Sequence, residues 1–317
     1  MLKAFLTGDE LDGKELNYLL ELAELFKLKK FDFKPLKGKK IVLLFQKPST
    51  RTRVSMEVGI NELGGYSIYL SQSETQWSRG ESMADTAKTL SLFFDAIGAR
   101  VIEHKDLEDL AENAKVPVIN ALSNRYHPLQ MLADLFTIKE LKGKIKGIKI
   151  AWIGDGNNVC NSLILGASKL GSHLIISSPK GYEPSKEIIE KAITYSKRSL
   201  GSIKLIDEPK EAVKNADIIY TDSFISMGME REAEERLKAF LPKYQVNSEL
   251  LSLAKKNVSF LHCLPAFRGR EVTGEVIDGD KSEVWRQAEN RLHTFKAFLC
   301  YIFLKKKKLD NLFKKVS

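Results

Sequence analysis

A nine-residue segment near the start of the chain combines the side chains that bind a phosphate group. Residues 45–53 read FQKPSTRTR, in which three hydroxyl side chains alternate with two arginines. Proline interrupts a predicted strand, and Ser49 is well suited to cap a helix that ends at about Leu63, where two glycines follow. Free backbone N–H groups, hydroxyls and arginine would then lie together, and a phosphate fits that environment best.

The two arginines of this segment are predicted to have different roles. A helix N-terminus favours acidic residues, so an arginine in the first turn is unfavourable unless it shares an anion with the backbone. Arg51, which lies within the hydroxyl cluster, is predicted to bind phosphate. Arg53 is expected on the solvated surface, where it can pair with Glu57 one turn later.

Two further polar segments of the first half could contact a ligand. His127 precedes Pro128, which suits the first turn of a helix, so His127 and Gln130 would lie at a strand-to-helix crevice where open α/β sheets bind ligands. A lone histidine is equally well a structural hydrogen-bonding group, and the residues alone leave both readings open. Gln76 lies on a polar loop that is either functional or plain surface.

The second half contains a glycine-rich turn after a predicted strand. Residues 154–159 read GDGNNV, which resembles a dinucleotide fingerprint. Val159 replaces the third glycine, however, and the next strand ends in serines rather than in an acid that could bind a ribose. An NAD site is therefore weakly supported. Asn158 either presents its amide to a ligand or caps the following helix.

Two other predicted strands of the second half end in residues that could do chemistry. Asp222 follows one of them, at the edge of the sheet where ligands bind. Cys263 follows another, and it is either a small buried residue or a substrate contact. Cys160 and Cys300 have apolar helical neighbours and are predicted to pack in cores.

Alternating strands and helices must position these residues. Short apolar, β-branched runs alternate with helical patterns, which predicts an α/β protein with two doubly wound parallel-sheet domains. The basic segment 142–147 is the expected boundary, giving domains 1–141 and 147–287 and a long helix from 288 to 317 that ends in lysines. The predicted strands are Lys40–Phe45, Tyr66–Leu70, Ala99–Glu103, Val116–Asn120, Gly147–Ile153, His173–Ser177, Ile203–Ile206, Asp217–Thr221 and Val258–His262.

Composition excludes several classes of protein. The 317 residues are 43% hydrophobic and 29% charged, so the chain is neither disordered nor fibrous. The spacing of the three cysteines fits neither a disulfide framework nor a zinc site. The longest apolar run, Ala297–Leu304, is far shorter than the ~18 residues of a membrane span, and the N-terminus does not read as a signal peptide. A reducing, cytoplasmic environment is the simplest expectation.

The basic balance of the chain suits anionic ligands. The net charge is +9, and Lys305–Lys308 could form an electrostatic patch for nucleic acid. Lysines at a helix C-terminus also complement the helix dipole, and aromatic residues are not interleaved with the basic ones. We therefore expect neither a nucleic-acid nor a membrane partner.

Taken together, these segments resemble the carbamoyltransferase family, and most closely its ornithine-using members. The similarity covers nearly the whole chain and rests on eight collinear segments. They are Ser49–Thr52, Thr75–Gln76, Arg100 with Glu103–His104, His127–Gln130, Gly154–Asn158, Asp222–Gly228, His262–Pro265 and Glu289–Arg291.

The resemblance implies transfer of the carbamoyl group of carbamoyl phosphate to the δ-amine of L-ornithine, giving citrulline and phosphate. It implies that the first domain binds carbamoyl phosphate, the second binds the amino acid and the terminal helix packs back on the first domain. Members of the family need no metal or organic cofactor and form trimers or assemblies of trimers. The Gln76 loop would then reach the site of a neighbouring subunit.

The resemblance also assigns residues to the two substrates. Arg100, His127, Gln130, Asp222 and Cys263 are the expected catalytic residues. Carbamoyl phosphate would meet Ser49, Thr50, Arg51, Thr52, Gln76, Arg100, His127, Gln130, Cys263, Leu264 and Arg291. Ornithine would meet Asn158, Asp222, Ser226 and Met227. A cis peptide bond between Leu264 and Pro265 is expected as well.

The sequence departs from the family pattern at three positions. Gln46 often corresponds to Glu, Leu129 to Cys and Phe267 to His. The first two would adjoin the phosphate contacts with small effects, whereas Phe267 would border the amine pocket. An aspartate-using member would usually carry a lysine in the loop that contains Gln76, and Asp222 would repel a second carboxylate. Both features favour ornithine over aspartate as the acceptor. The residues 226–228, Ser-Met-Gly, resemble the ornithine type and favour it over putrescine and acetylornithine.

Overall fold

The computed structural model describes residues 2–28, 34–226, 228–304 and 309. The chain forms two compact units. Met1–Phe136 and Asn290–Ser317 make up the first unit, and Thr137–Glu289 make up the second. Each unit is built on one parallel sheet of five strands, as the alternating pattern predicts.

The sheet of the first unit has the strand order β1-β5-β4-β2-β3. Its strands are β1 (Ala4–Phe5), β2 (Lys40–Phe45), β3 (Tyr66–Ser71), β4 (Ala96–Arg100) and β5 (Val118–Leu122). The helices that begin in this unit are α1 (Gly13–Lys27), α2 (Thr50–Glu62), α3 (Met83–Phe93), α4 (His104–Asn113) and α5 (Pro128–Lys142).

The sheet of the second unit has the order β10-β9-β6-β7-β8. Its strands are β6 (Lys149–Ile153), β7 (His173–Ser177), β8 (Ser202–Ile206), β9 (Ile218–Thr221) and β10 (Ser259–His262). The helices that begin in this unit are α6 (Asn158–Lys169), α7 (Lys186–Ser199), α8 (Pro209–Val213), α9 (Ala233–Phe240), α10 (Ser248–Ser252), α11 (Gly274–Ile277) and α12 (Val284–Phe303).

The central strands are buried on both faces, which explains why they read as continuous apolar runs. Ile41–Phe45 of β2 and Ile150–Ile153 of β6 are each fully buried. Polar residues follow directly where such strands end. Because parallel strands bring their carboxyl ends to one edge of the sheet, these polar residues collect at that edge. Both units therefore present a row of polar loops at that edge.

Strand positions are predicted best where the apolar run is bounded by polar residues. β2 and β7 have the predicted limits. β4 begins three residues earlier than predicted and ends at Arg100, because the N–H of Ile102 bonds to the Gln46 side chain instead of continuing the ladder. β1 has only two residues and was not predicted.

The terminal helix packs on the first unit, as expected. α12 begins four residues before the predicted start, at Val284. The Phe298 ring lies 4.4 Å from that of Phe5, and Lys296 pairs with Glu62 at 2.6 Å. The lysine cluster at 305–308 lies outside the described residues. No helix in the described part of the chain is long and apolar enough to cross a membrane.

Candidate active site

The start of α2 carries the predicted anion-binding segment. Ser49 has the extended backbone of a cap residue, but its side chain makes no capping hydrogen bond. Ser49 is thus the cap residue that the sequence predicts, although its hydroxyl does not bond to the first turn. The first-turn N–H groups point out of this helix end, where the positive end of the helix dipole favours an anion.

Arg51 is a half-buried cation of this segment that has no counter-charge among the described residues. It is half-buried, and no hydrogen bond or ion pair joins its guanidinium to any residue that the structure describes. By contrast, the Arg53 Nε lies 3.2 Å from a Glu57 carboxylate oxygen, and its guanidinium covers the Tyr69 ring at 3.6 Å. The predicted surface pairing of Arg53 is confirmed.

Arg291 connects three of the predicted phosphate-side residues. Its Nη2 donates to the Thr52 hydroxyl at 2.9 Å, and its Nη1 donates to Gln130 Oε1 at 2.5 Å and to His127 Nε2 at 3.2 Å. Arg291 is only 5% exposed. The planar guanidinium of Arg291, on α12, thus fixes the orientation of three buried side chains, which are Thr52 on α2 and His127 and Gln130 at the start of α5.

Gln130 is held at both ends of its amide. Its Oε1 accepts from Arg291, and its Nε2 donates to Asp134 Oδ1 at 2.8 Å. Asp134 is fully buried and lies one helical turn further along α5. This pairing determines which end of the amide faces which neighbour. Asp134 was missed by the sequence analysis, because an acid inside an apolar helix face gives no motif.

His127 is neutral and has a defined tautomer. Burial, with the nearby cations Arg291 and Arg100, lowers its pKa well below 6.5. Arginine can only donate, so the Nε2 that faces Arg291 is an acceptor and the ring proton resides on Nδ1. A neutral imidazole can polarise a carbonyl through this N–H without changing its charge.

This lowered pKa predicts a pH dependence of stability. The unfolded state binds a proton at His127 near pH 6.5 and the folded state does not, so the stability contributed by the neutral ring is present above that pH and lost below it. The free energy of unfolding of wild type relative to His127→Gln should fall by up to about 1.4 kcal/mol per pH unit below about pH 6.5. Urea unfolding at several pH values measures it.

His173→Gln is the matched control, because His173 lies half-buried on β7 of the second unit. Its unfolding, measured over the same pH range, gives the change that loss of a histidine outside this network produces. A constant difference between wild type and His127→Gln from neutral to acidic pH would contradict the neutral assignment.

Two other predicted phosphate contacts, Arg100 and Gln76, and two positions that depart from the family pattern, Gln46 and Leu129, lie on different elements of the first unit. Arg100 ends β4, close enough to His127 to lower its pKa. Gln46 Oε1 accepts from the N–H of Ile102 at 2.7 Å, so this family departure supports the backbone that follows Arg100. Gln76 begins a short 3₁₀ turn and is exposed, and its side chain forms no hydrogen bond with the described residues of this chain. Leu129 is buried in α5.

In the second unit, Asp222 is the centre of the predicted amine-side cluster. Its Oδ2 accepts from Asn157 Nδ2 at 2.8 Å, and its Oδ1 accepts from the Cys263 thiol at 3.1 Å. Asn157 was missed by the sequence analysis, which considered its neighbour. The carboxylate can accept further hydrogen bonds from a cationic or neutral amine.

The asparagine that caps α6 is Asn157 and not Asn158. Asn157 Oδ1 accepts from the N–H groups of Val159 and Cys160, whereas Asn158 accepts from Val159 alone. Asn158 and Ser226 are half-buried. Met227 lies outside the described residues. Cys160 and Cys300 are buried, which confirms the packing predicted for them.

The loop after β10 has an unusual backbone that a buried pair supports. The Leu264–Pro265 peptide bond is cis, as expected, and Leu264 has a φ of 61°. Leucine adopts this left-handed conformation only at an energetic cost, so neighbouring contacts must hold it. His262 Nδ1 accepts from the Leu264 N–H at 2.9 Å, and Glu271 Oε1 accepts from His262 Nε2 and from the Phe267 N–H. Glu271 was also missed.

The donor atoms of Asp222, His262 and Cys263 lie within 4.8 Å of one another. Such a donor set can hold zinc. Both ring nitrogens of His262 are already engaged, however, one by the Leu264 N–H and one by Glu271. Ligation by His262 would break the contacts that hold the loop after β10, so these residues do not fit a metal well.

The glycine-rich turn after β6 does not provide a dinucleotide cleft. The Gly156 N–H donates to the Tyr182 carbonyl at 2.8 Å. A Cβ on Gly156 would lie 2.2 Å from the Pro184 nitrogen. The segment 182–184 therefore occupies the space in which a pyrophosphate would approach the backbone, and the weak NAD reading has no support from the geometry.

The protein is thus an α/β protein of two doubly wound units, with arginines and hydroxyls at a helix start in the first unit and a carboxylate–thiol contact in the second. The family model of the carbamoyl-P binding domain of aspartate/ornithine carbamoyltransferases matches residues 3–140. The model of the Asp/Orn binding domain matches residues 146–302. The chain belongs to the aspartate/ornithine carbamoyltransferase family.

Similar proteins and structures agree with this membership. The chain is 53% identical over 310 residues to ornithine carbamoyltransferase of Bacillus subtilis (strain 168), covering 98% of this chain and 96% of that protein. It is 50% identical to the ornithine carbamoyltransferase structure from Pyrococcus furiosus, with a TM-score of 0.90 over 94% of this chain and 96% of that one. An anabolic ornithine carbamoyltransferase structure from Campylobacter jejuni gives 41% identity and a TM-score of 0.90, covering 98% and 99%.

Proposed function

We propose that the protein transfers the carbamoyl group of carbamoyl phosphate to the δ-amine of L-ornithine, giving L-citrulline and phosphate. The binding of carbamoyl phosphate is supported chiefly by Arg51, in the first turn of α2 after Ser49. Its guanidinium is half-buried and has no protein partner among the described residues. Ornithine as the acceptor is supported by relatives such as the 53% identical protein named ornithine carbamoyltransferase.

The first unit supplies the phosphate and carbamoyl contacts in this proposal. Ser49, Thr50, Arg51 and Thr52 bind the phosphate together with Arg100 and Arg291, whose charges stabilise the growing charge of the leaving group. The carbamoyl carbonyl accepts from the His127 Nδ1–H, and Gln130 contacts the carbamoyl amide. Since Arg291 orients Thr52, His127 and Gln130, the phosphate and carbamoyl ends of the substrate are read by one connected network.

The second unit supplies the amine contacts. The ornithine δ-amine has a solution pKa near ~10 and must become neutral before it attacks. We propose that Asp222, Cys263 and the Leu264 carbonyl orient this amine and influence its proton. Asn158, Ser226 and the Met227 backbone hold the α-carboxylate and α-amino groups. Cys263 and Leu264 also border carbamoyl phosphate in this assignment.

An amine panel tests this function. Purified protein is incubated with carbamoyl phosphate and, separately, ornithine, aspartate, putrescine or N-acetylornithine, while phosphate and carbamoylated product are measured. Rapid turnover with ornithine alone is expected. Turnover with aspartate alone would contradict the role of Asp222, and no turnover with any amine would overturn the function.

We further propose a homo-oligomer, a trimer or an assembly of trimers, in which Gln76 reaches the site of a neighbouring subunit. The exposed Gln76 side chain has no hydrogen bond to the described residues of its own chain. Val54 and Val58 on α2 are 50% and 39% exposed, which is consistent with a covered face in an assembly. All three cysteines are free, and the Cys263 thiol donates a hydrogen bond to Asp222. Free thiols are typical of proteins in a reducing cytoplasm, which we propose as the location.

Mixing two inactive variants tests the shared site. Arg51→Met and Gln76→Ala should each be nearly inactive alone. After dissociation and reassembly together, about one quarter of the sites in random hybrids would combine an intact Arg51 with an intact Gln76 from the neighbour. Recovery of about a quarter of wild-type activity is expected. A mixture no more active than its components, although hybrids form, would contradict the shared site.

A further inference from the structure

A buried ion pair lies beside the proposed amine-binding residues and takes no part in the assignments above. Asp155 follows β6, and Arg236 lies on α9. A guanidinium Nη2 of Arg236 contacts Asp155 Oδ2, and the two residues are only 4% and 7% exposed, respectively. Burying both charges costs free energy, and a buried ion pair often contributes little net stability. The contacts of this pair therefore indicate a role besides stability.

Arg236 connects three segments of the second unit. Its Nε donates to the Phe224 carbonyl at 2.7 Å, in the loop that follows β9. Its guanidinium also covers the Tyr182 ring at 4.9 Å. Phe224 in turn stacks on Phe240 of α9, with ring centroids 4.5 Å apart and an interplanar angle of 19°. One side chain thereby holds the end of β6, the loop after β9 and α9 in one arrangement.

The loop held in this way carries the proposed ornithine contacts. Asp222 precedes Phe224 by two residues, and Ser226 follows it by two. On the other side, Asn157 follows Asp155 by two residues and donates to Asp222 at 2.8 Å. The position of the Asp222 carboxylate is consequently determined by two segments that Asp155 and Arg236 join.

We propose, resting on the proposed function, that Asp155 and Arg236 are positioning residues for ornithine, which act by fixing the loop of Asp222–Ser226 and touch neither substrate. Loss of the pair leaves the phosphate-side residues unchanged, because none of them contacts it. The effect is therefore expected on KM for ornithine and not on KM for carbamoyl phosphate.

The same geometry makes the loop sensitive to acid. Burial raises the pKa of Asp155 to about 6, although the Arg236 charge opposes this shift. The carboxylates of Asp222 and Glu232 also raise it. The Cys160 thiol of α6 is near enough to be affected by Asp155, but burial raises its pKa, so it stays neutral here. Below about pH 6, protonation of Asp155 removes the buried charge that faces Arg236 and leaves it the more exposed Glu232 carboxylate at 3.5 Å, so KM for ornithine rises.

Two substitutions separate the contacts of this pair. Asp155→Asn keeps the shape and removes the charge, and Arg236→Lys keeps the charge and removes the planar donor to the Phe224 carbonyl. The matched control is Lys238→Gln on the same helix, whose partner Glu234 is 2.6 Å away in an exposed pair. Steady-state kinetics with each substrate varied in turn, from about pH 5 to about pH 8, measures both effects.

Both variants should raise KM for ornithine by about tenfold or more while KM for carbamoyl phosphate changes less than about twofold. Protonation of the ornithine δ-amine affects both proteins alike, so the ratio of KM for ornithine in Asp155→Asn to that in wild type should fall toward one on acidification through about pH 6. The Lys238→Gln control should behave as wild type. Folding is checked by circular dichroism.

Different results overturn different claims. Wild-type protein that forms no citrulline overturns the proposed function itself. Active wild type with unchanged KM for ornithine in folded variants overturns only the positioning role. If neither variant folds, the wild-type profile decides, since a KM for ornithine that stays constant below about pH 6 overturns the proposal.

Discussion

Arg51→Met should reduce kcat/KM for carbamoyl phosphate by about a thousandfold, equivalent to about 4 kcal/mol of transition-state stabilisation. The half-buried guanidinium has no protein partner among the described residues, so its charge is available to a phosphate bound at the start of α2. The leaving group gains charge as the carbamoyl carbon is attacked, and a fixed cation at this position stabilises that charge more than the bound substrate. Steady-state kinetics with carbamoyl phosphate as the varied substrate gives the change.

Arg53→Met is the matched control for this prediction. Arg53 lies in the same turn of the same helix, but it is paired with Glu57 and stacked on Tyr69. Its loss should change kcat/KM by less than about threefold, because an exposed pair contributes little. Equal losses in the two variants would show that general charge, and not the Arg51 site, attracts the substrate.

Asp222→Asn should reduce kcat/KM for ornithine by about a thousandfold. The Asp222 carboxylate accepts from Asn157 and from the Cys263 thiol, so an amide placed there would leave one donor facing another. The variant also loses the negative charge that favours an approaching amine and influences its proton. KM for carbamoyl phosphate should stay within about threefold of wild type, because its proposed phosphate contacts lie in the other unit.

Asp278→Asn provides the control in the same unit. Asp278 is an exposed carboxylate on the surface of the second unit, where it pairs with Arg268 at 2.6 Å. This substitution should leave both KM values and kcat nearly unchanged. An Asp222→Asn enzyme with wild-type kinetics toward ornithine would remove Asp222 from the mechanism.

The helix start that carries the proposed phosphate-binding segment could be predicted because its signal is local. Hydroxyls and arginines at a predicted helix start conflict with the helix dipole unless an anion is present, and this conflict is visible within residues 45–53. The same local reasoning distinguished Arg51 from Arg53, whose partner is one turn away. It also located Ser49 at the cap of α2, but it did not show that this hydroxyl makes no capping hydrogen bond.

The contacts that orient the site could not be predicted from patterns in the sequence. Arg291 meets His127 across 164 positions and Thr52 across 239. Asp155 and Arg236 are 81 positions apart. Such pairs form only after the sheets assemble, and their residue types are common on surfaces. The resemblance to a family named Arg291, whereas Asp134, Glu271 and Arg236 were found only from the structure.

The fold was predicted more completely than the site. Buried parallel strands give continuous apolar runs, so nine of the strands were located and only the two-residue β1 was missed. The limits of β4 were wrong, because the side chain of Gln46 ends its ladder early. Strand limits thus depend on tertiary hydrogen bonds even where the existence of a strand does not.

In the proposed reaction the carbamoyl group moves from carbamoyl phosphate to the δ-nitrogen of ornithine. The most direct measurement is nuclear magnetic resonance of a reaction with ¹³C-labelled carbamoyl phosphate and ornithine labelled with ¹⁵N at the δ position. We predict a product with a direct ¹³C–¹⁵N coupling, formed in equal amount with phosphate. Phosphate release without this coupling, or a labelled carbon attached to the α-nitrogen, would contradict the account.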